Sequence, residues 1–224
     1  MIGVVIPTLN EALTLPALLA DLRRVAVPLD VIVVDGGSSD GTPAAATARG
    51  VRVMTAPRAR AAQMNAGARA VSGDWLLFLH ADCRLPPAAR RALLAGVVDS
   101  PELEAAVFGF AIELPRGWKR FIEIGQAIRQ ACYGLPYGDQ GLLVRRALFE
   151  SVGGFPDLPL LEDVALLRLL RRRAPVRILP ASVVTSGRRY LRDGVLRTWL
   201  RHTGLILLYF AGVSPQRLAR WRDA

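Results

Sequence analysis

Four short apolar runs, IGVVI, LDVIVVD, VRVM and DWLLFLH, recur within the first eighty residues, with helical stretches between them. Runs this short read as buried strands when turn residues bound them. They predict strands over 2–6, 29–35, 51–54 and 74–80. Between the first two, Leu15, Leu18, Leu19, Leu22 and Val25 recur at three- and four-residue steps, which predicts a helix with Pro16 in its first turn. GGSSDG interrupts the second run, and Thr42–Pro43 opens an alanine-rich helix in cap-then-proline order. A third helix is expected over Ala59–Ala70. This alternation predicts one α/β domain built on a mostly parallel, Rossmann-like central sheet flanked by helices. Ligands of such sheets sit beyond the carboxyl ends of the strands. Pro7–Glu11, Asp35–Asp40 and His80–Asp82 all fall there.

After Pro87 the rhythm changes. A helix is expected over 88–98, a strand over 105–113 and a helix near 118–132, followed by the glycine-bearing loop YGLPYGDQG at 133–141. LLVRRALFESVGGF reads as a short strand, a helix and a turn. LEDVALLRLLRRR at 161–173 carries a helical apolar face, and a strand follows at 176–179. No repeat, linker or composition break divides residues 1–224.

The hydrophobic fraction of 52% and mean hydropathy of +0.29 exclude a disordered tail. Cys83 and Cys132 form no CxxC, which disfavours a disulfide scaffold or structural zinc and suits a reducing cytoplasm. No leader pattern precedes the first strand, so a cytoplasmic location is expected. GLILLYFAGV at 204–213 is too short to span a bilayer, which takes about 20 residues.

The net charge of +10 is uneven: residues 168–224 hold 13 arginines against Asp193 and Asp223. An arginine-rich composition accounts for part of this. An attraction to phosphates, nucleic acid or an anionic membrane is the other explanation. Leu196, Trp199, Leu200, Thr203 and Leu207 beside Arg197 and Arg201 favour peripheral contact with a membrane surface. No RNA-reading aromatic motif, zinc finger or zipper accompanies the charge, so no nucleic-acid partner is expected.

Neither GxGxxG after the first strand nor GxxxxGK[ST] is present, which disfavours a dinucleotide fold and a P-loop enzyme. Asp35, at a strand end, can accept from ribose hydroxyls or a base amide, or serve only its turn. Asp40 in SSDG is equally suited to a turn. Asn10 and Glu11 could meet ligand or start the first helix. Asp82 could hold a divalent ion against a nucleotide diphosphate; Mg²⁺ wants about six oxygens, largely phosphate and water here. His80 could assist the ion or orient the turn. Arg58 and Arg60, before a helix, could meet phosphate with guanidinium geometry. Glu162 and Asp163 form a second acidic centre, either a general base or an N-terminal pair serving the helix dipole. Asp139 and Gln140 in GDQG suit close substrate approach or an ordinary loop.

Taken together, VVIPTLNE, VIVVDGGSSDGT, RAAQMNAGA, LLFLHAD, YGDQG, GGFP and LLEDVALLRLLRRR closely resemble inverting family 2 nucleotide-sugar glycosyltransferases of the GT-A fold. The resemblance covers roughly residues 2–173, with weaker continuation through TSGRRY and LILLYFAGVSP. Its detailed form is most similar to the small bacterial arsenosugar-biosynthesis or radical-SAM-associated subfamily. It implies a UDP- or GDP-sugar donor bound by Pro7, Thr8, Asn10, Glu11, Asp35 and Gly36, with Asp40 supporting that loop or approaching the nucleotide. It implies Mg²⁺ or Mn²⁺ at Asp82, with His80 standing where the family's DxD signature has its first aspartate. The family's ED pair falls on Glu162–Asp163, with Asp163 the expected base and Glu162 the fallback. Asp139 and Gln140 become candidates for acceptor or sugar hydroxyls. The chain then divides into a nucleotide-sugar half (1–100), an acceptor-side half (101–190) and a basic amphipathic helical region (191–224). The acceptor would be a small molecule or lipid-linked, and a homo-oligomeric state is left open. A nucleotidyltransferase would share the sheet and carboxylates, but its glycine-rich, lysine-bearing N-terminal signature is missing. A noncatalytic nucleotide-sugar-binding or membrane-interaction protein would bind donor without turnover.

Overall fold

A computed structural model of the chain describes residues 1–133 and 140–223. β1 (Ile2–Thr8), α1 (Leu15–Leu22), β2 (Leu29–Asp35), α2 (Thr42–Thr47), β3 (Arg52–Thr55), α3 (Arg60–Ala70) and β4 (Trp75–Phe78) alternate as the apolar runs require. β5 (Cys83–Arg84), α4 (Pro87–Val98), β6 (Ala105–Glu113), α5 (Arg116–Tyr133), β7 (Leu142–Arg145), α6 (Arg146–Ser151), α7 (Glu162–Arg171) and β8 (Val176–Ser186) follow. Helices α8 (Arg188–Asp193), α9 (Val195–Phe210) and α10 (Pro215–Asp223) come last among the described residues.

The described strands form one sheet in the order β3-β2-β1-β4-β7-β6-β8-β5. β1 pairs in parallel with β2 and β4, as β2 does with β3 and β6 with β8. β7 runs antiparallel to β4 and β6, and β5 antiparallel to β8. Strand alternation sets the layers. Ile2, Val4 and Ile6 of β1 face a core shared with Leu15, Leu18 and Leu19 of α1 and Leu93 of α4. Val5 faces the opposite core, with Met64 and Ala68 of α3 and Leu166 of α7. At Gly67, α3 lies so close to the sheet that an added Cβ would stand 2.4 Å from Val5 Cγ1.

Several elements differ from the sequence expectations. β4 ends at Phe78, and Leu79 makes the last link by donating its N–H to Val5 O at 3.1 Å. His80 therefore stands in the turn rather than in the strand. α1 stops at Leu22, although Val25 still packs against its core. Gly41, at φ +83, occupies the N-cap of α2. Thr42, fully buried, uses its hydroxyl between the loops instead, accepting the Glu11 N–H at 2.8 Å. β8 runs to Ser186, well past the expected stop at 179. Its register against β6 shifts from Val107↔Ile178 to Gly109↔Ser182, giving β8 two extra residues around Pro180. A bulge is where a strand tolerates a missing N–H, so Pro180 bends β8 without ending it.

Candidate active site

β1 has β2 on one side and β4 on the other, so the strand order reverses there and opens a crevice at the carboxyl edge. Two loops are stitched together along it. The N–H groups of Asn10 and Ala12 donate to Ser38 Oγ (2.8 Å) and Asp40 Oδ2 (3.0 Å), while Ser39 N–H donates to Asn10 Oδ1 at 2.9 Å. Asn10 adopts φ 57, a left-handed conformation that asparagine tolerates better than most residues. Asp35 is buried beneath these loops. Burial opposes its ionisation, but bonds from the Ser38 hydroxyl, the Ser38 and Gly37 N–H groups and the Thr8 hydroxyl outweigh it and lower its pKa. Asp40 is lowered likewise: slight desolvation yields to donors on Thr42 and Ala12. Gly36 N–H donates to Thr8 O at 2.9 Å. Gln63 of α3 donates to both Thr8 O and Val34 O at 2.9 Å, clasping the ends of β1 and β2. Asn10, Asp35 and Asp40 thus build a fixed rim, which Pro7 and Gly36 adjoin. Arg58 is exposed.

The turn after β4 supplies the first acidic centre. Burial raises the pKa of Asp82, as does repulsion from Glu11, while Arg188 and Arg189 oppose the shift. Arg188 donates to Glu11 Oε2, and its guanidinium lies 3.9 Å from Asp82 Oδ2. Glu11 also accepts the Thr14 hydroxyl at 2.6 Å, so it fixes the approach to α1 as well as meeting the arginine. Ser186 N–H donates to Asp82 O at 3.1 Å, sewing the end of β8 to this turn. Sequence reasoning gave no role to Arg188 and Arg189. The available signal was an arginine pair directly after a strand, hidden because the strand was expected to stop at 179.

The second acidic centre opens α7. Leu161 takes φ 62 at the N-cap and makes no side-chain capping bond. Neither Glu162 nor Asp163 stands at the cap itself, although Asp163 Oδ1 accepts the N–H of Val164 at 2.8 Å. Glu162 is only 4% exposed and pairs with Arg60 Nη1 at 3.2 Å. Burial raises its pKa, Arg60 opposes this, and Asp163 adds to the rise. Desolvation works against the Arg60 charge, but Glu162, Asp163 and then Asp82 together favour it. The direct contact of that guanidinium is with Glu162. His80, Glu162 and Asp163 line one pocket with Phe78, Phe155 and Leu167. Burial, reinforced by Arg60 and Arg189, drives the His80 pKa well below 6.5, so its imidazole is neutral at pH 7. Asn65 braces the pocket wall, donating to Phe155 O at 2.8 Å and accepting the Phe155 N–H at 2.9 Å. Gln140 is fully buried and donates to Phe108 O at 3.2 Å. Asp139 lies outside the described residues.

Among the described residues, no group of three histidine, cysteine or acidic side chains is arranged to hold a metal ion by itself. A cation that completed its shell with phosphate and water oxygens would need only one protein carboxylate, and Asp82 would supply it. Asp82, disfavoured as an anion by burial and by Glu11, is the group whose charge such a cation would relieve.

The mixed sheet, its reversal point and the acidic turn at its carboxyl edge define a single-domain α/β protein of the GT-A fold. Residues 3–130 match Glycosyl transferase family 2, and the chain belongs to that family. A PGL/p-HBAD biosynthesis glycosyltransferase of Mycobacterium bovis is 30% identical over 167 residues, 69% of this chain and 63% of the relative. The chain thus spans less than two thirds of that relative's length. Among solved structures, TarS residues 1–349 of S. aureus superpose with TM-score 0.66 at 18% identity, over 83% of this chain and 60% of that one. A mannosyltransferase of Pyrobaculum calidifontis in complex with GDP-Man and Mn²⁺ gives 0.61 at 24%, over 83% and 56%. Glucosyl-3-phosphoglycerate synthase of Mycobacterium tuberculosis with Mg²⁺ and UDP gives 0.61 at 21%, over 83% and 69%. No helix among the described residues is long and apolar enough to cross a membrane.

Proposed function

We propose that the chain is a metal-assisted, inverting glycosyltransferase that moves a sugar from a UDP- or GDP-linked donor to an acceptor hydroxyl. The observation that carries this is one pocket that His80, two residues before Asp82, lines together with Glu162 and Asp163, some eighty positions later in the chain, with Arg60 bonded to Glu162 at 3.2 Å. A donor with its nucleoside along the Pro7–Glu11 and Asp35–Asp40 loops would direct its diphosphate toward Asp82, Arg188 and Arg189. Asp163 is the preferred base: Glu162 is engaged with Arg60 and nearly sealed from solvent, whereas Asp163 is only partly buried. In the proposed step the acceptor oxygen attacks the anomeric carbon opposite the diphosphate, and Asp163 takes the acceptor proton. The bond from that carbon to the diphosphate breaks as the new one forms, so configuration inverts. Mg²⁺ or Mn²⁺, held through Asp82, would offset charge on the departing diphosphate. Neutral His80 can donate or accept a hydrogen bond beside it without adding charge.

The family membership and the metal-bound, nucleotide-bound structural relatives support this reading. The detailed sequence strings further support a place in the arsenosugar-biosynthesis or radical-SAM-associated subfamily, with a small or lipid-linked acceptor and a cytoplasmic setting. The test is a panel of UDP- and GDP-sugars scored for nucleoside-diphosphate release with and without Mg²⁺ or Mn²⁺. One donor should turn over with metal, and Asp163→Asn should slow it by about 10²–10⁴-fold while leaving donor binding intact. Silence across donors and a broad acceptor set would sink the proposal, as would wild-type turnover by Asp163→Asn.

A further inference from the structure

We infer that the outward face of α5 and α9 docks on a bilayer bearing anionic headgroups, with α9 lying in the plane of the interface. This concerns a surface outside the acidic cleft and does not depend on transfer chemistry. Along α9, Leu196, Leu200 and Leu207 fall on one stripe and are 50%, 55% and 48% exposed. Arg197 and Arg201 flank that stripe and are exposed as well. On α5, Trp118, Phe121 and Ile124 are likewise exposed. The two helices form one continuous face: the Phe121 and Trp199 ring centroids are 5.0 Å apart, and those of Trp118 and Phe121 are 6.1 Å apart. A Cβ on Gly125 would stand 3.0 Å from Trp199 Nε1, so the helices also pack closely there. Beneath them Ile112, Ile122 and Val195 form a small core that fixes their mutual position.

An apolar stripe flanked by arginines, with indole and phenyl rings alongside, suits the boundary between headgroups and acyl chains. Over residues 116–127 and 191–210 there are six cations and two carboxylates. Both carboxylates already have partners, Glu123 with Lys119 at 3.9 Å and Asp193 with Arg192 at 2.7 Å. That excess complements an anionic surface. A second copy of the chain, paired through the same face about a two-fold axis, would set cations against cations. α8 runs from Arg188, at the Asp82 turn, to the start of this face, so docking would bring the cleft's rim beside the lipid surface.

The test is co-sedimentation of the full chain with vesicles of phosphatidylcholine alone or mixed with phosphatidylglycerol. Binding is expected to the mixed vesicles and to fall as salt is raised. Leu196→Ser/Leu200→Ser and Arg197→Glu/Arg201→Glu should each weaken partition by about tenfold or more. All four side chains are exposed, so unchanged thermal unfolding serves as the folding control. Nucleoside-diphosphate release, assayed without vesicles, should match the wild type, which separates failure of docking from failure of the transferase reading. Equal recovery with neutral and anionic vesicles would overturn the inference, as would undiminished partition of both variants. A dimer in sedimentation velocity that both variants dissociate, without vesicle binding, would overturn it in favour of self-association.

Discussion

Asp82 and Asp35 sit at the same sheet edge and are perturbed in opposite directions, which makes them a diagnostic pair. Asp82 has a folded-state pKa above its ordinary 3.8, so ionising it costs the folded state more than the unfolded one. That penalty is absent in acid and grows as pH rises past the unfolded value. Asp82→Asn is therefore expected to melt higher than the wild type at pH 7 while losing turnover, and the stability gap should close as pH falls below the ordinary carboxylate range. Such a trade of stability for activity is common where a charge is held for chemistry. Asp35 has a depressed folded-state pKa, so its contribution is present above the unfolded value and lost as pH falls through the folded one. Asp35→Asn should melt lower at neutral pH, with the deficit fading in acid. Thermal unfolding across pH checks both. Curves of the same sign for the two variants would contradict the environments described for them.

Helix α3 carries more of the site than its modest amphipathicity suggests. Arg60 reaches the acidic pocket, Gln63 clasps β1 and β2, Asn65 holds Phe155, and Gly67 permits the close approach on which all three depend. Gly67→Ala would force a methyl into Val5 and Val34, and overpacking of this kind costs about 1–3 kcal/mol. Chemical denaturation should register that loss, and donor affinity should fall with it because Arg60 and Gln63 move with the helix. Unaltered stability and affinity would mean that the helix yields without disturbing the loops. The first half of the chain was legible because each strand there is a continuous apolar run and each catalytic candidate stands directly after one. Glu162–Asp163 was legible as an acidic helix start, but not its alliance with Arg60, since nothing in local spacing reports a contact across a hundred residues. The length of β8 was hidden by Pro180, and the roles of Arg188 and Arg189 with it. The side chain of Thr42 suits a cap, yet its hydroxyl is used between loops.

At the scale of the whole molecule, one sheet crosses from residues 1–100 to residues 101–190, with β4 paired to β7. Residues of both halves share the two main cores, as Leu18 and Phe108 do on one face and Met64 and Leu166 on the other. Residues 1–100 and 101–190 are thus parts of one packed unit, and a single cooperative unfolding transition is expected. Far-ultraviolet circular dichroism and tryptophan fluorescence should report coincident midpoints; two separated transitions would mean independent folding units. The bulge in β8 bears on the same unity. Its surplus is two residues, an even number, so side chains beyond Pro180 keep the facing they had before it. An odd surplus would invert that facing and send the polypeptide away from the Asp82 turn with its arginines aimed elsewhere. The parity of one irregularity decides whether Arg188 and Arg189 arrive beside the Asp82 turn.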